Sequence, residues 1–203
     1  MKNKIVWGII LAIAVGVGVY FYKNGEEKAD GASTLVGLPP ALDAKNATYT
    51  IDGISTTLVN GFSEADVASD SAEKEVIRYF GNEVVHDLDD DGREDIVFLL
   101  TQQKGGSGTF YYVVAALNKL AGYEGSHAFL LGDRIAPQTT NIDEGTGAEG
   151  RQRQNVIVVN FAERRPSEPM TARPSVGKSV WLKLDPKTMQ FGEVAQNFEG
   201  EVR

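Results

Sequence analysis

From about residue 46 onward, apolar residues come in short β-branched and aromatic runs broken by glycine, proline, asparagine and aspartate, a pattern of strands and turns. Residues 48–51 (TYTI) and 54–59 (ISTTLV) flank Asp52-Gly53, a strong short hairpin signal. Residues 63–71 read as a polar, acidic connection. Residues 75–80 (EVIRYF) predict a strand, with Gly81-Asn82 turning the chain into residues 83–85 (EVV). A short amphipathic helix over 71–80 competes, because Ala72, Val76 and Phe80 are spaced four apart.

Further along, residues 96–101 predict a buried strand, and 110–117 (FYYVVAAL) the most central one. Residues 122–125 predict a turn, 128–131 and 138–143 strands, and 144–154 (EGTGAEGRQRQ) a solvated excursion. Residues 156–161 (VIVVNF) predict a buried strand, and 162–178 a loop punctuated by Pro166, Pro169 and Pro174. Residues 180–184 and 191–194 close the chain as a hairpin across Asp185-Pro186-Lys187. About nine to eleven short strands joined by glycine-rich turns indicate an all-β fold, an antiparallel sandwich or partly open barrel. No repeat period emerges, which argues against a propeller or solenoid.

The N-terminal pattern is different. Residues 5–22 form an uncharged, mostly apolar run between Lys4 and Lys23, just long enough as a helix to span a hydrocarbon core. Trp7, Tyr20 and Tyr22 fall near its ends, where interfacial aromatics collect. The expectation is one transmembrane anchor at 5–22, after a cytoplasmic N-terminus at 1–4. A tether follows at 23–45, and an extracytoplasmic β-domain at 46–203. Lys2 and Lys4 before the span, with Glu26 and Glu27 after it, favour an N-in, single-pass orientation in the cell membrane. A cleaved secretory signal is the alternative, since Ala12-Ile13-Ala14 offers a processing site. Both place the domain in the periplasm or outside the cell.

Composition then narrows the chemistry. A formal net charge of −8 and a pI near 4.8 argue against nucleic acid as a partner and favour cations. No cysteine is present, so disulfides, thiolate metal sites and cysteine nucleophiles are excluded. Two histidines, His86 and His127, do not make a multi-histidine zinc site.

One stretch carries chemistry. Asp87-Leu88-Asp89-Asp90-Asp91-Gly92-Arg93-Glu94-Asp95 places carboxylates at loop positions 1, 3, 5 and 9 and glycine at position 6, then runs straight into an apolar strand. Crowded carboxylates repel unless a cation lies between them, and an oxygen-only donor set suits a hard ion. Ca²⁺ tolerates the irregular geometry better than Mg²⁺. The spacing resembles the calcium loops of integrin-type (FG-GAP) and dockerin-type repeats. That resemblance implies side-chain ligands from Asp87, Asp89, Asp91 and Asp95 and a carbonyl ligand from Arg93. Position 12 is Phe98, where an EF-hand needs a bidentate glutamate, which implies weaker binding than in a sensor. Residues 78–83 (RYFGNE), 105–118 and 130–140 (LLGDRIAPQTT) also resemble a small bacterial extracytoplasmic domain family without established activity.

Other candidates are weaker. Ser107, His127 and Asp133 could form a hydrolytic triad, but Gly105-Gly106-Ser107-Gly108-Thr109 lacks the last glycine of a nucleophile elbow and lies between strands. Ser126 and His127, as neighbours on a strand, point to opposite faces. His86 reads as a surface residue beside aspartates. Arg134, Arg151, Arg153, Arg164, Arg165 and Arg173 read as balancing an acidic surface more than as an anion site. Tyr111 and Tyr112 divide between core and surface, and Trp181 reads as core more than as a sugar platform. The expected function is a membrane-anchored, calcium-binding structural or binding module of the cell envelope with no catalytic residues, its partner an envelope protein or glycan. The alternative is an extracytoplasmic hydrolase or carbohydrate-active enzyme.

Overall fold

A computed structural model describes residues 43–67, 73–146 and 153–195, all within the compact unit Pro39–Arg203. The expected anchor at 5–22 and most of the tether lie outside the described residues. Among the described residues, no helix is long and apolar enough to cross a membrane.

Among the described residues, a 3₁₀ turn, Ala44–Asn46, precedes twelve strands, whose ladders are all antiparallel. Strands β1 (Thr48–Ile51) and β2 (Ile54–Thr57) form a two-stranded hairpin. Strands β3 (Phe62–Asp66), β4 (Lys74–His86), β5 (Asp95–Lys104), β6 (Phe110–Lys119) and β7 (Gly122–Gly125) follow one another across a six-stranded sheet. Its sixth member, β8 (Phe129–Asp133), shares with β7 the far edge of β6. Strands β9 (Ala136–Asp143), β10 (Val156–Glu163), β11 (Val176–Asp185) and β12 (Gln190–Glu193) form a four-stranded sheet in the order β12-β11-β10-β9. The sheets stay open and form no closed barrel among the described residues.

The two apolar runs at the centre of the sequence explain the layering. A strand solvated on one face alternates polar and apolar residues, whereas one buried on both faces reads as a continuous apolar run. Along β5, Val97 and Leu99 face the four-stranded sheet and pack with Ile157, Val159, Phe161, Leu182 and Leu184. Phe98 and Leu100 face the other way, onto Tyr49, Ile51 and Leu58 of the N-terminal hairpin region. β6 divides identically, with Val113, Ala115 and Leu117 on one side and Tyr112, Val114 and Ala116 on the other. The six-stranded sheet is thus the middle layer between two cores.

Several expectations need correction. Residues 63–66, read as part of a polar connection, belong to edge strand β3, whose solvent exposure accounts for its acidic side chains. Gly81-Asn82 does not turn the chain. It bulges β4, with Gly81 at φ 114° and Asn82 at φ 53°, and register against β5 shifts there while the strand continues. The strand reading of 75–80 holds over the helix. Residues 122–125 form the short strand β7. β10 and β11 also extend further into 162–178 than expected. The Asp52-Gly53 hairpin stands as read: both residues have positive φ, 51° and 81°, as a type I′ turn requires. The closing hairpin stands as well.

Candidate metal centre

The acidic loop is the connection between β4 and β5, residues 87–94. Asp87 curls it: one carboxylate oxygen accepts the Asp91 N–H at 3.1 Å and the other the Gly92 N–H at 2.8 Å. Left-handed backbone at Asp90 (φ 58°) and Gly92 (φ 84°) completes the curl, and at Gly92 glycine carries no steric penalty. Leu88, 3% exposed, plugs the loop into the core beneath.

Asp95 is the anchor. It is 1% exposed, and its two oxygens accept the Leu88 N–H at 2.8 Å and the Asn118 N–H at 2.7 Å, joining the start of the loop to the end of β6. One ligand oxygen from each of Asp87, Asp89 and Asp95 lies within 4.8 Å of the others. The Asp89 side chain is 6% exposed. One of its oxygens is held by the Lys119 ammonium, and the other, Oδ1, is buried without a hydrogen-bond partner.

The fields at these groups differ. Burial pushes the Asp95 carboxyl above its ordinary value, and the charges of Asp89 and Asp91 add to that, against the two backbone donors. At Asp87 desolvation also acts upward, but backbone N–H groups of Gly92, Asp91, Asp90 and Asp89 outweigh it and hold the carboxyl low. Desolvation acts downward on Lys119, yet Asp89, Asp91 and Asp95 raise it.

Of the four carboxylates expected as ligands, three converge. Asp91 instead pairs with the Arg93 guanidinium and lies 3.7 Å from the Lys119 ammonium. The Arg93 side chain also donates through Nε to the Asn118 carbonyl, and its backbone N–H to Asp91 at 2.9 Å. A hard cation fits the donor set: three carboxylates, no nitrogen or sulfur, and a buried oxygen lacking a partner. These three residues could hold a metal ion.

Lys119, Asn118 and Asn155 are parts of the site that sequence reading did not find. Asn155, at the start of β10 and in left-handed backbone (φ 56°), donates to the Leu88 carbonyl at 3.1 Å and to Asp90 at 3.3 Å. Its amide oxygen lies 3.0 Å from His86 Nε2. No local spacing announces these contacts, which span 67 and 69 positions of the chain for Leu88 and His86. Beside them opens a cleft of about 380 Å³ lined by His86, Asp87, Asp90, Glu144, Arg153 and Asn155, among others.

The other candidates scatter. Ser107 and His127 are exposed, while Asp133 is bound to Arg134 and accepts the Thr109 N–H at 2.9 Å. Ser126 is fully buried and bridges the gap between β7 and β8. Its N–H donates to the Ala115 carbonyl, and its hydroxyl oxygen accepts the Ala115 N–H. The arginines disperse: Arg153 pairs with Asp143, Arg165 with Glu168, and Arg164 donates to the carbonyls of Asp133 and Arg134. Arg151 lies outside the described residues. Tyr112 is core and Tyr111 half-buried, edge-on to Phe80. Trp181 is half-buried, its indole N–H donating to Asp143 at 3.0 Å.

Comparison with family models, with curated proteins and with solved structures gives no match to this chain.

Proposed function

We propose that the domain is an extracytoplasmic, membrane-anchored binding or structural module of the cell envelope, with Ca²⁺ bound by Asp87, Asp89 and Asp95. The observation that carries the metal reading is the pairing of three converging carboxylates with an unpartnered Asp89 oxygen on a side chain 94% buried. A buried carboxylate oxygen without a donor costs free energy that a coordinated cation recovers. Calcium is favoured over magnesium because three clustered carboxylates leave room for several further oxygens, from carbonyls or water, at irregular angles. The likeness of the loop to integrin-type and dockerin-type calcium loops supports the same ion.

The anchor rests on the apolar run at 5–22, and the orientation on its flanking lysines and glutamates. A binding role is supported over hydrolysis by the exposure of Ser107 and His127 and by the commitment of Asp133 to Arg134 and the Thr109 N–H. The enzymatic alternative draws on one feature, the cleft lined by Asp87, Asp90 and Glu144, because glycoside cleavage needs carboxylates facing across a cleft.

Two experiments test the proposal. Calorimetric titration of the chelator-treated full-length chain with CaCl₂ should show one binding event that Asp89→Asn removes; absence of heat overturns the metal reading. Protease accessibility in intact cells, compared with lysed cells, should show the domain outside the cytoplasm. Protection until lysis overturns the location.

A further inference from the structure

Lys119 is the last residue of β6, its backbone paired with Gly122 in the tight β6–β7 hairpin. Its side chain reaches back over the acidic loop. The ammonium contacts Asp89 Oδ2 and lies 3.7 Å from Asp91 Oδ2. Asp89 is one of the three converging carboxylates, so the ammonium already compensates, at Oδ2, the charge of a carboxylate whose Oδ1 is free for a metal. The loop's own cation, Arg93, is committed to Asp91 and the Asn118 carbonyl.

From this arrangement we infer that Lys119 is a tethered counter-ion that competes with the divalent cation for Asp89 and thereby sets the affinity of the site. The inference deepens the calcium reading and rests on it.

The physical argument has three parts. First, a divalent ion among Asp87, Asp89 and Asp95 lies a few ångströms from the ammonium, where like charges repel strongly in a half-buried setting. Second, the ammonium is attached to the fold, so its local concentration at Asp89 far exceeds that of any free ion. Third, Lys119 can yield: its side chain is 31% exposed and sits on a flexible four-carbon stem, so Nζ can swing into solvent while the strand stays paired. The loop therefore keeps its charges partly compensated before metal arrives, and metal entry exchanges one cation for another. Weak binding follows from the competition as well as from the Phe98 at the position where an EF-hand has glutamate.

The test is calorimetric titration of the full-length chain with CaCl₂, in wild type, Lys119→Gln, Lys119→Met and Lys119→Arg. The two neutral variants should bind Ca²⁺ at least about tenfold more tightly, because a repelling charge has been removed from beside the ion. Lys119→Arg should stay within about twofold of wild type, because it keeps the charge. Asp89→Asn in the Lys119→Met background should abolish the gain. Wild-type affinity in both neutral variants, with clear heat in all, overturns the tether and leaves the calcium reading intact. No heat in any variant overturns both. Melting temperatures measured alongside report folding, and if Lys119→Gln unfolds, Lys119→Met, which keeps the stem, carries the comparison.

Discussion

Asp95 shows how a single carboxylate can fasten two elements and also be one of three that could hold a metal ion. Its oxygens accept two backbone donors from elements far apart in sequence, Leu88 and Asn118, in a place water does not reach. Asp95→Ala leaves both donors without partners, and urea denaturation should show a loss of about 2–4 kcal/mol. Asp95→Asn keeps one acceptor oxygen and should cost less than the alanine variant. Asp52 offers a residue-scale test in acid. Desolvation acts to raise its carboxyl, but Lys104, Tyr112 and Gln102 hold it below the ordinary 3.8. A carboxyl lowered in the folded state stabilises above its unfolded pKa, and that contribution is lost as pH falls through the folded value. Melting temperature should therefore decline below about pH 4, and Asp52→Asn should flatten that decline. An equally steep decline in the variant would contradict the assignment.

At the level of elements, legibility in the sequence followed burial and turn chemistry. β5 and β6 were readable because both their faces are buried, and the Asp52-Gly53 hairpin because its turn demands those residues. β3 and β7 were not, since an acidic edge strand and a four-residue strand of Gly-Tyr-Glu-Gly resemble loops in composition. Gly81-Asn82 has turn chemistry but serves a bulge, and only the pairing partner β5 distinguishes the two. The loop was legible as an acidic curl through its spacing. That Asp91 leaves the cluster for Arg93, and that Lys119 enters it, depends on the end of β6 lying alongside. The seating of the β1–β2 hairpin region also depends on a distant residue, Gly125. A Cβ there would meet the Thr48 carbonyl at 2.3 Å and the Tyr49 ring at 2.7 Å. Gly125→Ala should cost about 1–3 kcal/mol by overpacking, read as a lowered denaturation midpoint. An unchanged midpoint would mean that the hairpin region shifts freely.

For the molecule as a whole, the three-layer arrangement holds the acidic loop from two sides. The loop leaves from the central sheet, is plugged into the larger core by Leu88, and is braced from the four-stranded sheet by Asn155. A cation bound there would pin the curled β4–β5 loop to the start of β5, so binding and folding should be linked. If the site binds with the sub-millimolar to millimolar affinity of extracellular calcium modules, 5 mM Ca²⁺ stabilises by about 1–2 kcal/mol. The most direct measurement is thermal unfolding of the full-length chain in 5 mM CaCl₂ against chelator, with Asp89→Asn beside it. The account predicts a rise of about 3–5 °C in the wild type and none in Asp89→Asn; equal melting temperatures of the wild type in calcium and chelator would contradict it.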